Sequence, residues 1–149
     1  MHLALFTPRE VSVLVSGKEM IDAPTLVRLI EWPAPKEALE WWGSERPPHA
    51  LREWLLVQPE ATCKAVFRCV TARRALPVSG PPCTIRLEVA KSSTKVGATD
   101  GACAVHDGRA AAEVSTCFNA LKLPKYESVE QVDRGMRLLL AEGGRFSAE

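Results

Sequence analysis

A cysteine stands at position 117 in the stretch VSTCFNALKLPKY, 114–126, between a threonine and a phenylalanine and just ahead of an alternating run stopped by a proline. As a thiolate, such a cysteine is a nucleophile that forms and passes on thioesters, provided that solvent and partners reach it. The hydroxyls of Ser115 and Thr116 beside it are donors for developing charge. A cysteine buried as a small hydrophobe needs no such setting, and from the residues alone both readings of Cys117 are open. The remaining cysteines stand at 63, 69, 83 and 103. Cys63 and Cys69 are six residues apart in a helical stretch, do not share a face, and are assigned to packing. Cys83, Cys103 and His106 include the short ligand-like spacing CAVH, but a structural zinc site takes four ligands, usually in paired motifs. No second pair is present, so no metal is expected. His2 and His49 have no partner by spacing, and no local signature of a papain-like Cys-His enzyme surrounds Cys117.

The elements that must hold this cysteine can be read from punctuation and periodicity. Thr7-Pro8-Arg9-Glu10 has the composition of a helix start, with Thr7 and Glu10 as a capping box and Pro8 at the first helical position. Val11, Leu14 and Val15 share a face, and Gly17 is the expected stop. Residues 22–32 predict a second short helix entered through Pro24. WPAPKE, 32–37, carries two prolines and is the best linker candidate. Short helices are expected over 36–42 and 50–57, separated by GSERPP. Over 60–72, Cys63, Val66, Phe67 and Val70 recur at i, i+3, i+4 and i+7, the stripe of one helix face. Ile85, Leu87 and Val89 alternate with Arg86 and Glu88 as in a half-buried strand. Residues 91–111, rich in Ser, Thr, Gly and Ala without a period, predict a long mobile loop. Leu121 and Leu123 alternate around Lys122, and Pro124 ends that strand. Ser128 to Gln131 forms a second capping box, opening a helix with Val129, Val132, Met136, Leu139 and Leu140 inward. Gly135 inside it costs about 1 kcal/mol relative to alanine. Gly143-Gly144 is expected to close it, leaving the tail RFSAE.

Composition bounds the class. A chain of 149 residues with 46% hydrophobic content suits one domain, or one domain with a remnant of another. A net charge of +1 marks neither a nucleic-acid binder nor a membrane-surface binder. No segment has the apolar length needed to span a bilayer. The start MHLALFTPRE is too soon interrupted by Pro8 and charges for a secretory signal. An odd cysteine count without such a signal fits free thiols in a reducing compartment.

Several separated words, in order, carry a family resemblance. STCFNALKLPKYES, 115–128, resembles the catalytic segment of HECT-type ubiquitin ligases, where Thr-Cys-Phe-Asn precedes an L-x-LP-x-Y strand and turn. CVTARRALP, 69–77, is similar to the family's FVTG-x-S-R-x-P segment. LFTPREVSVLVSG, 5–17, looks like the last helix of the family's N-lobe, and MIDAPTLVRLIEW, 20–32, like the approach to the hinge. Phe146 stands fourth from the end, where such ligases commonly place a phenylalanine. The chain departs from the pattern at Ser115, where the family often has histidine, at Ala111-Ala112 in place of a Leu-Pro, and at Ala72 in place of a glycine. Either Trp41-Trp42 or Trp54 fills the family's aromatic helix position. The large N-lobe that binds the conjugating enzyme is expected to be absent except for its last piece.

The resemblance implies an α+β fold, a small sheet of about four strands packed with helices and displaying Cys117 on an exposed loop at the sheet's end. Residues 1–35 would be the end of the N-lobe and the hinge, and 36–149 the C-lobe. It implies that Cys117, assisted by Thr116, takes ubiquitin from a conjugating enzyme as a thioester and passes it to a substrate lysine, more slowly for want of the histidine. Phe146 and Glu149 would form the transfer tail: by the resemblance Phe146 would dock it onto the lobes or onto ubiquitin, the alternative being a disordered tail, and by general-base logic Glu149 would orient or deprotonate the lysine, the alternative being a merely solvated acid. Ser115, Phe118 and Asn119 would support the loop, Phe118 by anchoring it in the core. The expected partners are ubiquitin, a conjugating enzyme and a protein substrate, with no nucleic acid, membrane or cofactor, in a monomer of the cytosol or nucleus. The alternative is a non-catalytic ubiquitin- or protein-binding module derived from the same lobe.

Overall fold

The chain threads a four-stranded sheet through a set of short helices, in an α+β arrangement. The computed structural model describes residues 7–16, 20–77, 83–90 and 111–146. Helix α1, Pro8–Ser16, opens as its sequence dictates: the Glu10 carboxylate accepts from the Thr7 amide at 2.7 Å, and the Glu10 amide donates to Thr7 Oγ1 at 3.3 Å. These reciprocal bonds satisfy amides that no helical carbonyl can reach. The expected stop at Gly17 lies outside the described residues.

Helix α2, Ala23–Leu29, is capped by Asp22, whose carboxylate accepts from the Thr25 amide at 2.9 Å. The expectation of one helix through residue 32 is corrected. Ile30–Glu31 turns into a two-residue strand, β1, which pairs parallel to the central strand. Ile30 is buried there, in register with Ile85. The linker is likewise shorter than WPAPKE, because Pro35 already begins helix α3, Pro35–Trp42. Helix α4, Arg46–Leu56, begins inside the predicted GSERPP break, which shortens to residues 43–45. Pro47 and Pro48 occupy its first turn, where a missing N–H breaks no helical bond.

Helix α5, Glu60–Thr71, carries the predicted stripe: Cys63, Val66, Phe67 and Val70 are all buried. It ends at Ala72, which takes the left-handed conformation at φ +57°. Strand β2, Ile85–Val89, is central and parallel to β1 on one side and to β4, Ala120–Leu123, on the other. Strand β3, Glu113–Ser115, runs antiparallel along the outer edge of β4, giving the order β1-β2-β4-β3. The predicted loop over 91–111 lies outside the described residues apart from its last residue.

Helix α6, Val129–Phe146, buries Val132, Met136 and Leu139, with Val129 and Leu140 packed beside them. At its start the Gln131 amide donates to Ser128 Oγ at 3.3 Å, while the Gln131 side chain accepts from the Glu127 amide at 2.8 Å. The capping box therefore closes one residue further back than expected. The expected stop at Gly143-Gly144 is also corrected, because the helix continues through both to Phe146. The core is one cluster drawn from α2, α3, α4, α5, the sheet and α6. Two indoles pin its layers. Trp42 Nε1 donates to the Leu123 carbonyl at 2.9 Å, and Trp54 Nε1 donates to Asp133 Oδ1 at 2.8 Å.

Candidate active site

Strands β3 and β4 form a hairpin whose register sets Ser115 opposite Ala120. The four residues between them, Thr116 to Asn119, are its tip. Thr116–Phe118 makes a single 3-10 turn, closed where the Asn119 amide donates to the Thr116 carbonyl at 3.4 Å. Asn119 then takes the left-handed conformation at φ +49°, a region that asparagine tolerates better than most residues. This reverses the chain into β4. The Asn119 carbonyl accepts from the Arg86 amide at 2.9 Å, tying the tip to β2. Helix α5 packs against the turn from behind. The backbone of this short loop is thus anchored on three sides, by the β3–β4 register, by β2 and by α5.

At this tip the Cys117 thiol is exposed. The reading of Cys117 as a buried hydrophobe is thereby excluded. Cys63 and Cys83 are buried and Cys69 is half-buried. Burial pushes the Cys63 thiol up, with the carboxylates of Asp22 and Glu60 adding to the effect, and burial also raises Cys69. Both changes disfavour the thiolate. Among the described cysteines, the exposed one is therefore the one placed to react.

Thr116 is exposed beside Cys117, while Ser115 is half-buried as the last residue of β3. Ser115 is thus a strand residue rather than a loop residue, and its side chain does not cap the turn. Phe118 is the clearest correction. Expected to anchor the loop in the core, it is 70% exposed. The anchoring falls instead to Ala120, Leu121 and Leu123 immediately after the turn, all buried. The side chain of Phe146 and the whole of Glu149 lie outside the described residues, so the transfer tail is not brought to the hairpin tip by anything on view.

A concavity of about 450 Å³ lies elsewhere, lined by Trp54, Gln58, Pro59, Thr62, Arg137 and Leu140. None of these residues belongs to the hairpin tip, and the chemistry-bearing thiol is not in it. Among the described residues no group of three or more His, Cys, Asp or Glu side chains could hold a metal, and no helix is long and apolar enough to cross a membrane. Cys103 and His106 lie outside the described residues.

An exposed thiol at the tip of a hairpin, behind a Thr and ahead of a Phe-Asn pair, is the arrangement that the resemblance led one to expect. The family model for the HECT domain, a ubiquitin transferase, matches residues 1–149, the whole of the chain, and the chain belongs to that family. No curated protein matches it. HECT domains work with ubiquitin, ubiquitin-conjugating enzymes and protein substrates.

Proposed function

We propose that residues 36–149 are the C-lobe of a HECT-type ubiquitin ligase and carry ubiquitin as a thioester on Cys117. In the first step the Cys117 thiolate attacks the carbonyl carbon of the conjugating enzyme's thioester. A C–S bond forms at Cys117, and the conjugating enzyme's thiolate leaves. In the second step a substrate lysine amine attacks the new thioester. The C–N bond forms, the Cys117 thiolate is expelled, and the amine gives up a proton. Splitting acyl transfer at a thiol in this way needs no metal or organic cofactor.

The observation that carries the reading is the exposure of Cys117 at the hairpin tip while Cys63 and Cys83 are buried. Thr116, next to it and exposed, is the proposed donor to charge developing in the transfer. The proposal keeps Phe146 and Glu149 as the transfer tail, with the Glu149 side-chain carboxylate accepting the lysine proton. Residues 1–35 are taken as the end of the N-lobe and the hinge, and 36–149 as the C-lobe. The proposed setting is the cytosol or nucleus, where a free thiol persists, and the proposed state is a monomer.

Ser115, standing where the family often has histidine, favours the second reading, a ubiquitin- or protein-binding module without transfer. The test is to mix the chain with a ubiquitin-loaded conjugating enzyme and a lysine acceptor, beside Cys117→Ala. Under the first reading the variant loses transfer and keeps binding. If the wild type is silent even when fused to a complete N-lobe from a related ligase, the binding-module reading replaces it.

A further inference from the structure

Phe118 is the aromatic side chain that the fold leaves in solvent beside the thiol. At 70% exposure it contributes little to the core. Asn119 reverses the chain immediately after it, the Asn119 carbonyl is held by the Arg86 amide, and Ser115 is in register with Ala120. An exposed phenylalanine on a turn with an anchored backbone is a ready binding contact, because covering an aromatic side chain removes a large apolar area from water.

What would cover it follows from its distance to Cys117. Consecutive Cα atoms are about 3.8 Å apart, and an extended chain advances by roughly 3.3–3.6 Å per residue. A protein tethered through its carboxy terminus to Cys117 Sγ therefore has its last few residues within reach of the Phe118 ring. Resting on the thioester reading of Cys117, we propose that Phe118 is a specificity contact for the carried protein. Its ring packs against an aliphatic side chain in the carboxy-terminal segment of ubiquitin, favouring that acyl group over others at the same thiol.

The test uses ubiquitin bearing a small-molecule thioester at its carboxy terminus, a donor that needs no conjugating-enzyme surface. The rate of adduct formation on Cys117 is compared in the wild type, Phe118→Ala and Phe118→Leu, all with Cys103→Ser. A small disulfide reagent measures the intrinsic reactivity of the thiol, and a thermal melt measures the fold. The expected result is a loss of about tenfold with Phe118→Ala, equivalent to about 1.4 kcal/mol. Phe118→Leu should recover most of the rate, while the melt and the reaction with the small reagent stay unchanged. Replacing the aliphatic side chains of the ubiquitin tail with alanine should then cost less in Phe118→Ala than in the wild type, the non-additivity of a direct contact. Equal rates in wild type and Phe118→Ala overturn the contact and leave the carrier reading standing. An equal fall with the small reagent also overturns it, because the ring would then act on the thiol or the turn. A wild type that forms no adduct on Cys117 overturns the carrier reading and the contact together.

Discussion

Ala72 and Asn119 are the two non-glycine residues with positive φ among those described, at +57° and +49°. Asn119 tolerates this region, and at the hairpin tip its strain buys a reversal that sets Cys117 and Phe118 outward. Ala72 has no such compensation. It caps α5 through its amide, which donates to the Arg68 carbonyl at 2.8 Å, a position that glycine fills without Cβ strain. Ala72→Gly is therefore expected to stabilise the fold by about 1 kcal/mol, read as a higher urea midpoint with an unchanged slope. The exposure of Cys117 was half-legible in the sequence: its polar neighbours allowed it, and the motif favoured it. The exposure of Phe118 was not legible. Hydrophobicity alone assigns a phenylalanine to the core, and the phase of its side chain depends on a single 3-10 turn and one left-handed residue, which leave no periodic trace.

Elements long enough to repeat their pattern could be read, and short ones could not. The stripe of α5, the alternation of β2 and the inward face of α6 each span several residues, and each stands where the period put it. Strands β1 and β3, with two and three residues, carry too little alternation to register. Gly143-Gly144 looked like a stop, but a glycine stop needs the left-handed conformation, and among the described glycines only Gly43 has positive φ. Gly135 has a reason that propensity hides. A Cβ there would overlap the Tyr126 hydroxyl and approach its Cζ to 2.6 Å, so the helix admits the buried tyrosine only through glycine. Gly135→Ala, worth up to about 1 kcal/mol in favour of a free helix, is expected instead to destabilise by about 1–3 kcal/mol through overpacking. Chemical denaturation gives the sign directly.

The junction of α4 and α6 has a pH dependence of its own. The Arg137 guanidinium at 2.8 Å, and then the Trp54 indole N–H, hold the Asp133 carboxyl below its ordinary range. A lowered folded-state pKa means that the contribution is complete above about pH 4 and is lost as pH falls through the folded value. Asp133→Ala also leaves the indole of buried Trp54 without its acceptor, a cost of about 1–3 kcal/mol. Urea midpoints of wild type and Asp133→Ala should therefore be well separated at pH 6 and draw closer as the pH falls through the folded value, below about 4, without meeting, because the protonated carboxyl still accepts from the indole.

At the scale of the whole molecule, parts of the chain distant in sequence meet in the core that carries the hairpin. The Trp42–Leu123 bond joins residues 81 apart in sequence, and Trp54–Asp133 joins residues 79 apart. Residues of α2 and β1, read from sequence as the approach to a hinge, are buried in the same cluster as β4 and α6. Local patterns could not reveal this, since parallel pairing of Ile30 with Ile85 is set by the tertiary fold. The scaffold thus holds one hairpin out from a continuous core, and the account stands on what that hairpin's thiol does. The most direct measurement is the intact mass of the chain after incubation with a ubiquitin-loaded conjugating enzyme, for the wild type and Cys117→Ser, with the chain fused to a complete N-lobe. The account predicts a wild-type adduct of one ubiquitin that reductant removes, and a Cys117→Ser adduct that survives reductant as an ester and yields to mild alkali. An adduct that resists both treatments in both proteins, or a wild type that carries none, would contradict it.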